Sequence, residues 1–203
     1  MNYLVTGGAG FIGSNLVSRL LDDKDNTVHV VDNFFTGNKK NHHKNLFYDK
    51  RDVRDSLDDL NGFDVIFHLA ALARIQPSFK NPSETIDVNV AGTANVCNLA
   101  RRIDAKVVYA GSSSFYAGPY LNPYAFSKWQ GEEICKMFSE VYGLSTANAR
   151  FFNVYGNGQP SEGPYATIVG IFENQFKAKD ALTITGDGNQ RRDFTHVNDI
   201  VAG

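Results

Sequence analysis

A glycine-rich turn near the start of the chain limits the possible folds more than any other feature. Residues 3–6 are apolar or β-branched and lead into Gly7, Gly10 and Gly13, which precede an amphipathic stretch. A strand, a glycine turn and a helix in this order present backbone N–H groups where the diphosphate of a dinucleotide can bind. Gly7 permits the tight turn, Gly10 lets the backbone approach phosphate, and Gly13 allows close packing of the helix. The start of the chain therefore predicts a dinucleotide-binding fold.

Strand-like and helix-like segments alternate through the first 150 residues. The short apolar segments cover residues 2–6, 27–32, about 45–48, 64–68, 106–110 and about 145–150. The longer periodic segments cover about 11–23, 83–102 and 124–142. Such alternation is typical of a parallel sheet with helices on both faces. We therefore predict an α/β fold with a Rossmann-type doubly wound parallel sheet.

The composition changes at residue 153, where a second unit is expected to begin. Residues 153–165 are rich in Gly, Pro and Asn, which predicts a loop. A helix to about 178, a strand at 182–185 and the start of a helix at 197 follow. We therefore divide the chain into an NAD-binding domain, residues 1–152, and a small C-terminal substrate lobe, residues 153–203. We expect this lobe to be only partial, because its last helix has just begun at Gly203.

The composition excludes several classes of protein. Hydrophobic residues make up 42% of the chain and charged residues 21%, as in ordinary globular proteins. The net charge of −2 gives no reason to expect nucleic acid as a partner, and no apolar run is long enough for a membrane span. Because the first predicted strand starts at residue 2, we expect no signal peptide. Cys97 and Cys135 lie in helix-like stretches and fit packing roles. We therefore expect a cytoplasmic protein with no metal, nucleic-acid or membrane partner.

A carboxylate closes the second predicted strand, about 20 residues after the glycine turn. In this position Asp32 can accept hydrogen bonds from the adenosine ribose hydroxyls and repel a 2′-phosphate. The neighbouring residues, Asn33 and two phenylalanines, include no arginine that would reverse the preference. The sequence therefore favours NAD over NADP. The structural alternative for Asp32 is a solvated loop carboxylate.

A tyrosine and a lysine four residues apart form the candidate catalytic pair. Tyr124 and Lys128 lie one helical turn apart on the same face of segment 124–142. A phenol is a poor base at neutral pH, and a nearby ammonium favours the phenolate. Ser112 follows segment 106–110 and supplies a hydroxyl that can bridge a substrate hydroxyl and the phenolate. Alone, this spacing also fits an ordinary surface helix, but behind a dinucleotide turn it indicates hydride transfer at a hydroxyl-bearing carbon.

These motifs together resemble the extended short-chain dehydrogenase/reductase family, in its nucleotide-sugar epimerase and dehydratase branch. The similarity runs from Thr6-Gly7-Gly8 to Arg192-Asp193-Phe194. The resemblance implies a UDP-linked sugar substrate and a homodimer built from helices 83–102 and 124–142. It also implies that Tyr124 and Lys128 contact the cofactor together with Phe11, Ile12, Asn33, Asp52, Val53, Leu69, Ala70, Ala71 and Phe152, and that Asn89 supports the cofactor groove from the following helix. On the residues alone, Asp52 fits equally well as the cap of a turn.

The resemblance also implies a substrate site, with Ser78, Ser113, Ser114, Asn153 and Arg192 as its candidate residues. Arg192 lies in the segment whose arginine binds the nucleotide diphosphate in the family. A guanidinium suits that role because it can donate two hydrogen bonds to phosphate oxygens. The structural alternatives are a loop hydrogen bond for Ser78, a core strand end for Phe152 and a solvated surface position for Arg192.

The residues after Ser112 distinguish between the reactions of this family. The resemblance implies an acidic pair there in 4,6-dehydratases and a glutamate in decarboxylases, whereas this chain has Ser113, Ser114 and Phe115. Elimination then lacks its acid/base pair, so we predict NAD-dependent epimerisation of a UDP-hexose through a 4-keto intermediate. A dehydratase, decarboxylase or reductase of the same superfamily and a non-catalytic NAD-binding module remain alternatives. Segment 113–123 is shorter than we expect for the family, so the sequence does not predict which sugar is bound.

Overall fold

Six parallel strands form the central sheet of the computed structural model, which describes residues 1–44 and 46–203. The strands are β1 (Asn2–Thr6), β2 (Thr27–Val31), β3 (Tyr48–Asp49), β4 (Val65–His68), β5 (Lys106–Ser112) and β6 (Thr146–Phe151). Their order in the sheet is β3-β2-β1-β4-β5-β6. This is the strand order of a Rossmann dinucleotide-binding sheet, in which the direction of winding reverses between β1 and β4. The predicted fold class is confirmed.

The helices lie between the strands and after the sheet. They are α1 (Phe11–Leu20), α2 (Ile75–Lys80), α3 (Pro82–Ile86), α4 (Gly92–Ile103), α5 (Ser114–Ala117), α6 (Pro123–Tyr142), α7 (Ile168–Ala178) and α8 (Val197–Ala202). A π-helical turn, Asp87–Ala91, joins α3 to α4, so the predicted helix 83–102 exists in three consecutive pieces. None of the helices in the described ranges is long and apolar enough to cross a membrane.

Local sequence signals account for the limits of α6. The Asn122 side chain accepts a hydrogen bond from the backbone N–H of Ala125 at 2.8 Å, and Pro123 occupies the first turn. Both features are typical of a helix N-terminus. Gly143 ends the helix with a left-handed φ of 72°, which glycine adopts without a steric penalty. Tyr124 and Lys128 therefore both lie in the first two turns of α6, as the predicted spacing requires.

Both faces of the sheet are covered by apolar side chains. Leu4 and Val5 are neighbours on β1 and both are fully buried, but they belong to different clusters because side chains alternate along a strand. The Leu4 cluster includes Cys97 from α4 and Cys135 from α6, whose sulfur atoms are 3.9 Å apart and unbridged. The Val5 cluster includes residues of α1. The cysteines thus pack in the core, as expected.

The last fifty residues form a second, two-stranded sheet and two helices. Strand β7 (Val154–Tyr155) pairs in parallel with β8 (Thr195–His196), and α8 packs against α1. The helices predicted to about 178 and from 197 are confirmed as α7 and α8. The division of the chain between residues 152 and 153 stays a prediction.

Two predicted strands differ from the structure. The segment 182–185 is irregular and exposed, and Thr183 bonds to the side chain of Gln175 instead of to a neighbouring strand. The prediction of a strand there is wrong because the alternating pattern has no strand to pair with. The strand predicted at about 45–48 begins only at Tyr48, where it pairs with β2, and Asn45 lies outside the described residues.

Candidate active site

A single long cleft of about 1580 Å³ crosses the carboxyl ends of the sheet strands. It includes the ends of β1 and β4, between which the direction of winding reverses. This is the usual ligand position in open α/β sheets. The predicted site residues that line it are Gly7, Gly10, Phe11, Ile12, Gly13, Asp32, Asn33, Asp52, Val53, Leu69, Ala70, Ala71, Ser112, Ser113, Ser114, Tyr124, Lys128, Phe152, Asn153 and Arg192. Twenty of the predicted positions are therefore gathered along one surface. No group of three or more His, Cys, Asp or Glu side chains within residues 1–44 and 46–203 could hold a metal ion.

The glycine turn brings main chain from β1, α1 and the β4 end into direct contact. Gly7 has a φ of +74°, and a Cβ there would lie 2.7 Å from the backbone nitrogen of Ala70. A Cβ on Gly13 would overlap the carbonyl oxygen of Gly7. Gly10 stands at the N-terminus of α1, where no side chain caps the helix. The first N–H groups of α1 are thus left for an anionic group.

Asp32 is part of the wall beside the glycine turn. One of its carboxylate oxygens accepts a hydrogen bond from the backbone N–H of Ala9 at 2.9 Å, and the other accepts one from Phe34 at 2.8 Å. The residue is only 7% exposed, so the alternative of a solvated loop carboxylate is wrong. Each oxygen keeps a further lone pair for a ligand hydroxyl in the cleft.

Asp52 both caps a turn and lines the cleft. Its carboxylate accepts hydrogen bonds from the Arg54 side chain at 2.8 and 3.0 Å, from the Arg54 backbone at 2.9 Å and from Asn33 at 2.8 Å. Chiefly the Arg54 side chain holds the pKa of Asp52 at about 2. Arg54 also bonds to Asp87 at 2.7 Å and lies 3.1 Å from Glu84. Arg54 and Glu84 line the cleft and were not among the predicted residues.

Asn89 and Ser78 lie behind the cleft wall. The Asn89 amide bonds to both backbone groups of Leu72, at 2.8 and 3.2 Å, and to the Ser127 hydroxyl at 2.9 Å. Ser78 donates to the carbonyl of Ile75 at 2.7 Å and accepts from the backbone N–H of Tyr124 at 3.2 Å. The contacts of Asn89 fit the supporting role that the resemblance implies. The predicted sugar contact of Ser78 needs correction, because its hydroxyl is already used in holding main chain behind the cleft.

Ser112, Ser114 and Tyr124 form a hydrogen-bonded set at the end of β5. The Tyr124 hydroxyl donates to the Ser112 oxygen at 3.4 Å, and the Ser112 and Ser114 oxygens are 2.8 Å apart. The backbone N–H of Ser114 also donates to the Ser112 oxygen at 3.2 Å. Ser112 is 8% exposed, so this hydroxyl lies at the floor of the cleft. The set can pass a proton between a bound hydroxyl and the phenol.

Burial controls the ionisation of the predicted catalytic pair. It raises the pKa of Tyr124, while the Ser112 hydrogen bond and the positive charge of Arg74 act in the opposite direction. Burial also lowers the pKa of Lys128 to about 8. The Lys128 ammonium lies over the Tyr109 ring, 4.2 Å from its centre, in a cation–π contact. Arg74 also lines the cleft, and sequence analysis did not select it.

A partly buried ion pair supports the loop that follows Ser112. Arg150 bonds to the Glu132 carboxylate at 2.7 Å, and its guanidinium lies 3.9 Å from the centre of the Phe115 ring. The neighbouring Tyr116 ring stacks on Phe152 with 5.9 Å between centres. Phe152 therefore lines the cleft beside this loop, and its alternative role as a core strand end is wrong.

The second sheet brings the remaining substrate candidates to the same cleft. The Asn153 side chain donates to the carbonyl of Asp193 at 2.9 Å. Arg192 is exposed and bonds only to the carbonyl of Arg191 within the described chain, at 2.7 Å. Both residues line the cleft because β7 pairs with β8 next to them.

The sequence and the fold are similar to those of known proteins. The family model described as "NAD dependent epimerase/dehydratase family" matches residues 3–203. This chain belongs to that family. A putative UDP-glucose 4-epimerase of Methanocaldococcus jannaschii is 37% identical over 215 residues, covering 97% of this chain and 70% of the relative. UDP-glucuronic acid decarboxylase 3 of Arabidopsis thaliana is 34% identical over 227 residues, covering 100% of this chain and 65% of the relative.

A solved structure in the family has the same fold. The UDP-glucose 4-epimerase of Thermotoga maritima, determined with UDP-glucose, has a TM-score of 0.94 and 29% sequence identity. The match covers 100% of this chain and 71% of that one. The predicted resemblance and the NAD cofactor are confirmed by the family. The crowded glycine turn, the uncapped N-terminus of α1 and the buried Asp32 carboxylate all fit this dinucleotide.

Proposed function

We propose that this chain catalyses the NAD-dependent C4 epimerisation of a UDP-hexose through a 4-keto sugar. The hydrogen-bonded set of Ser112, Ser114 and Tyr124 carries the proposal. This set supplies hydroxyl groups where elimination or decarboxylation would call for a carboxylic acid. Epimerisation needs only a proton carrier, a hydride carrier and space for the sugar to turn.

The residues that would hold NAD follow from the cleft wall. The turn from Gly7 to Gly13 would offer N–H groups to the diphosphate, and Asp32 would accept hydrogen bonds from the adenosine ribose. Asp52, Val53 and Asn33 would hold the adenine end, Leu69, Ala70 and Ala71 would line the groove, and Phe152 would pack near the nicotinamide; all of them line the cleft. When bound, NAD supplies the group that accepts hydride from the sugar carbon and returns it.

Tyr124 acts as the proton carrier in this proposal. As a phenolate it takes the proton of the C4 hydroxyl, with the Ser112 hydroxyl bridging the two oxygens. Burial raises the pKa of Tyr124, so the phenol retains this proton while the 4-keto sugar turns in the cleft. Tyr124 then returns the proton to the C4 oxygen, now on the other face of the sugar, and is a phenolate again.

The UDP part of the proposal is supported by relatives and by two cleft residues. The M. jannaschii and A. thaliana relatives carry names of UDP-sugar enzymes, and the T. maritima structure was determined with UDP-glucose. Arg192 is the proposed partner of the diphosphate because its side chain is exposed and forms no ion pair with a carboxylate in the described ranges. Asn153 lines the same cleft and is the proposed second hydrogen-bond donor.

A product assay tests the proposed reaction. The protein is incubated with NAD and either UDP-glucose or UDP-N-acetylglucosamine, and the sugars are separated by chromatography. We expect the 4-epimer without net NADH. Tyr124→Phe should keep NAD binding and lower the rate by about 10²–10³-fold, because the proton carrier is lost. Substantial turnover in this variant would contradict the assigned base.

The A. thaliana relative makes a UDP-glucuronic acid decarboxylase the second candidate. Incubation with UDP-glucuronic acid separates the two functions, because only a decarboxylase releases CO₂. A 4-keto product that accumulates would instead indicate a dehydratase. Unchanged sugars together with measurable NAD binding would favour a non-catalytic module.

We also propose that the chain forms a homodimer through α4 and α6. These helices lie side by side, and Met137 and Val141 of α6 are 41% and 64% exposed. Two copies of such a pair can pack as a four-helix interface. Light scattering should give twice the 22.4 kDa mass of one chain. Met137→Glu should then give single chains, whereas a single-chain mass for the unmodified protein at all concentrations would contradict the dimer.

A further inference from the structure

Arg74 lines the same cleft as Tyr124 but comes from a different part of the chain. It is the last residue before α2. One turn further on, Ser78 accepts a hydrogen bond from the Tyr124 backbone at 3.2 Å. The backbone N–H of Ser78 also donates to the carbonyl of Arg74 at 3.4 Å. The main chain at Arg74 is therefore fixed to the start of α6, which carries Tyr124.

The guanidinium of Arg74 is partly buried without a carboxylate partner. Its Nε and Nη2 atoms donate to the carbonyl oxygen of Tyr165, at 3.0 and 2.8 Å, and no carboxylate of the described residues lies within 4.0 Å. By contrast, the partly buried Arg51 and Arg150 both pair with carboxylates. A carbonyl is neutral, so the charge of Arg74 stays uncompensated. Burying an unpaired charge is costly, which points to a functional use.

We propose that Arg74 is an electrostatic positioning residue for proton transfer: its guanidinium, held by the carbonyl of Tyr165, stabilises the phenolate of Tyr124. The inference rests on the proposed role of Tyr124 as proton carrier. The charge of Arg74 opposes the effect of burial on the pKa of Tyr124, and the phenolate in turn raises the pKa of Arg74, which burial lowers.

The other titratable groups near Tyr124 differ from Arg74 in their charge or in the pH range over which they carry it. Tyr109, on β5, is buried, and burial raises its pKa well above the usual value, so it stays neutral. Lys128, on α6 itself, stacks on the Tyr109 ring, and its pKa is lowered to about 8. Lys128 is therefore charged at neutral pH and loses its charge in mildly alkaline solution. Glu132, further along α6, is paired with Arg150. A guanidinium remains charged throughout this range, so Arg74 provides a constant field.

The test compares three variants that differ in charge and position. Arg74→Gln keeps a donor for the Tyr165 carbonyl but removes the charge, and Arg74→Lys restores a charge. Lys80→Met removes a charge from the exposed end of the same helix, α2, and serves as the matched control. The titration of Tyr124 is followed by phenolate absorbance without NAD, as the difference between each variant and its Tyr124→Phe partner. The pH dependence of turnover is measured in parallel.

An opposite charge at short range lowers a pKa by about one unit or more. We therefore expect Arg74→Gln to move the Tyr124 titration and the acid limb of the rate profile upward by roughly one pH unit, with about a tenfold lower rate at pH 7. Arg74→Lys should recover most of the shift, and Lys80→Met should cause none.

Two results would overturn the inference. One is an unshifted Tyr124 titration in Arg74→Gln with a native circular dichroism spectrum. The other is a fall in rate that is equal at every pH, which would indicate a purely structural role. If Tyr124→Phe were fully active, the proposed base would be wrong, whereas the absorbance titration would still report on the Arg74–Tyr124 coupling.

Discussion

Gly13 sets the distance between α1 and the turn that precedes it. A Cβ at this position would overlap the Gly7 carbonyl oxygen and lie 2.8 Å from the Cα of Gly8. Both are backbone atoms, so the clash cannot be relieved by a side-chain rotation. Only glycine satisfies this requirement, which is why the glycine spacing, taken together with the preceding strand, the following helix and Asp32, predicted a dinucleotide-binding turn.

Replacing Gly13 by alanine should weaken NAD binding. Overpacking of this kind costs about 1–3 kcal/mol and displaces α1 from the turn, so we expect roughly tenfold weaker binding by calorimetry. Gly62→Ala is the control, because Gly62 also has a positive φ, +76°, but no atom within 4 Å of its Cβ position. It should lower stability by about 1 kcal/mol without changing NAD affinity. Unchanged NAD affinity in Gly13→Ala would contradict the assigned role of the turn.

Residues whose function depends on distant partners were harder to predict. Ser78 was expected to contact the sugar, but its hydroxyl is used by the Ile75 carbonyl and the Tyr124 backbone. Arg74 was not selected, since its partner, the Tyr165 carbonyl, lies 91 residues away. The only local signal was one charged residue inside an apolar run, residues 72–75.

At the scale of elements, strong periodicity and capping signals were reliable. The helix at 124–142 was predicted from its pattern, and it begins with an Asn122 cap and ends at Gly143. Short elements were not predicted in this way. Strands β7 and β8 contain two residues each and exist only because they pair with one another. The segment 182–185 has a strand-like pattern and no partner, so it stays irregular.

The ion pair between Glu132 on α6 and Arg150 on β6 should stabilise both the fold and the loop that follows Ser112. Glu132 is 5% exposed and its Arg150 partner stacks on Phe115, in the loop that carries Ser113 and Ser114. Glu132→Gln leaves the guanidinium without its counter-charge. We expect a loss of roughly 2 kcal/mol of stability in urea unfolding, less than for a fully buried pair because the Arg150 side chain is 28% exposed.

The same variant should also lower turnover more than it lowers NAD affinity, because the pair supports the Ser112–Ser114 side of the cleft. Glu133→Gln is the matched control, since Glu133 is the exposed neighbour on α6. It should leave stability and turnover unchanged. Equal behaviour of the two variants would show that the Glu132–Arg150 pair does not support the loop.

At the scale of the whole molecule, the strand order explains why the site forms. The parallel strands all end at one edge, so side chains that follow β1, β2, β4, β5 and β6 meet in one cleft. This edge could be predicted from the alternation of segments. The part of the cleft formed by the segment 158–167 could not be predicted, because a loop rich in glycine and proline has no periodicity from which to place it.

The most direct test of the proposed reaction follows one hydrogen atom. A UDP-hexose with deuterium at C4 is incubated with the protein and NAD, and the product is examined by NMR. Epimerisation by a buried proton carrier with return of the same hydride predicts the 4-epimer with deuterium still at C4. Deuterium lost from C4, or a product with unchanged configuration at C4, would contradict the account.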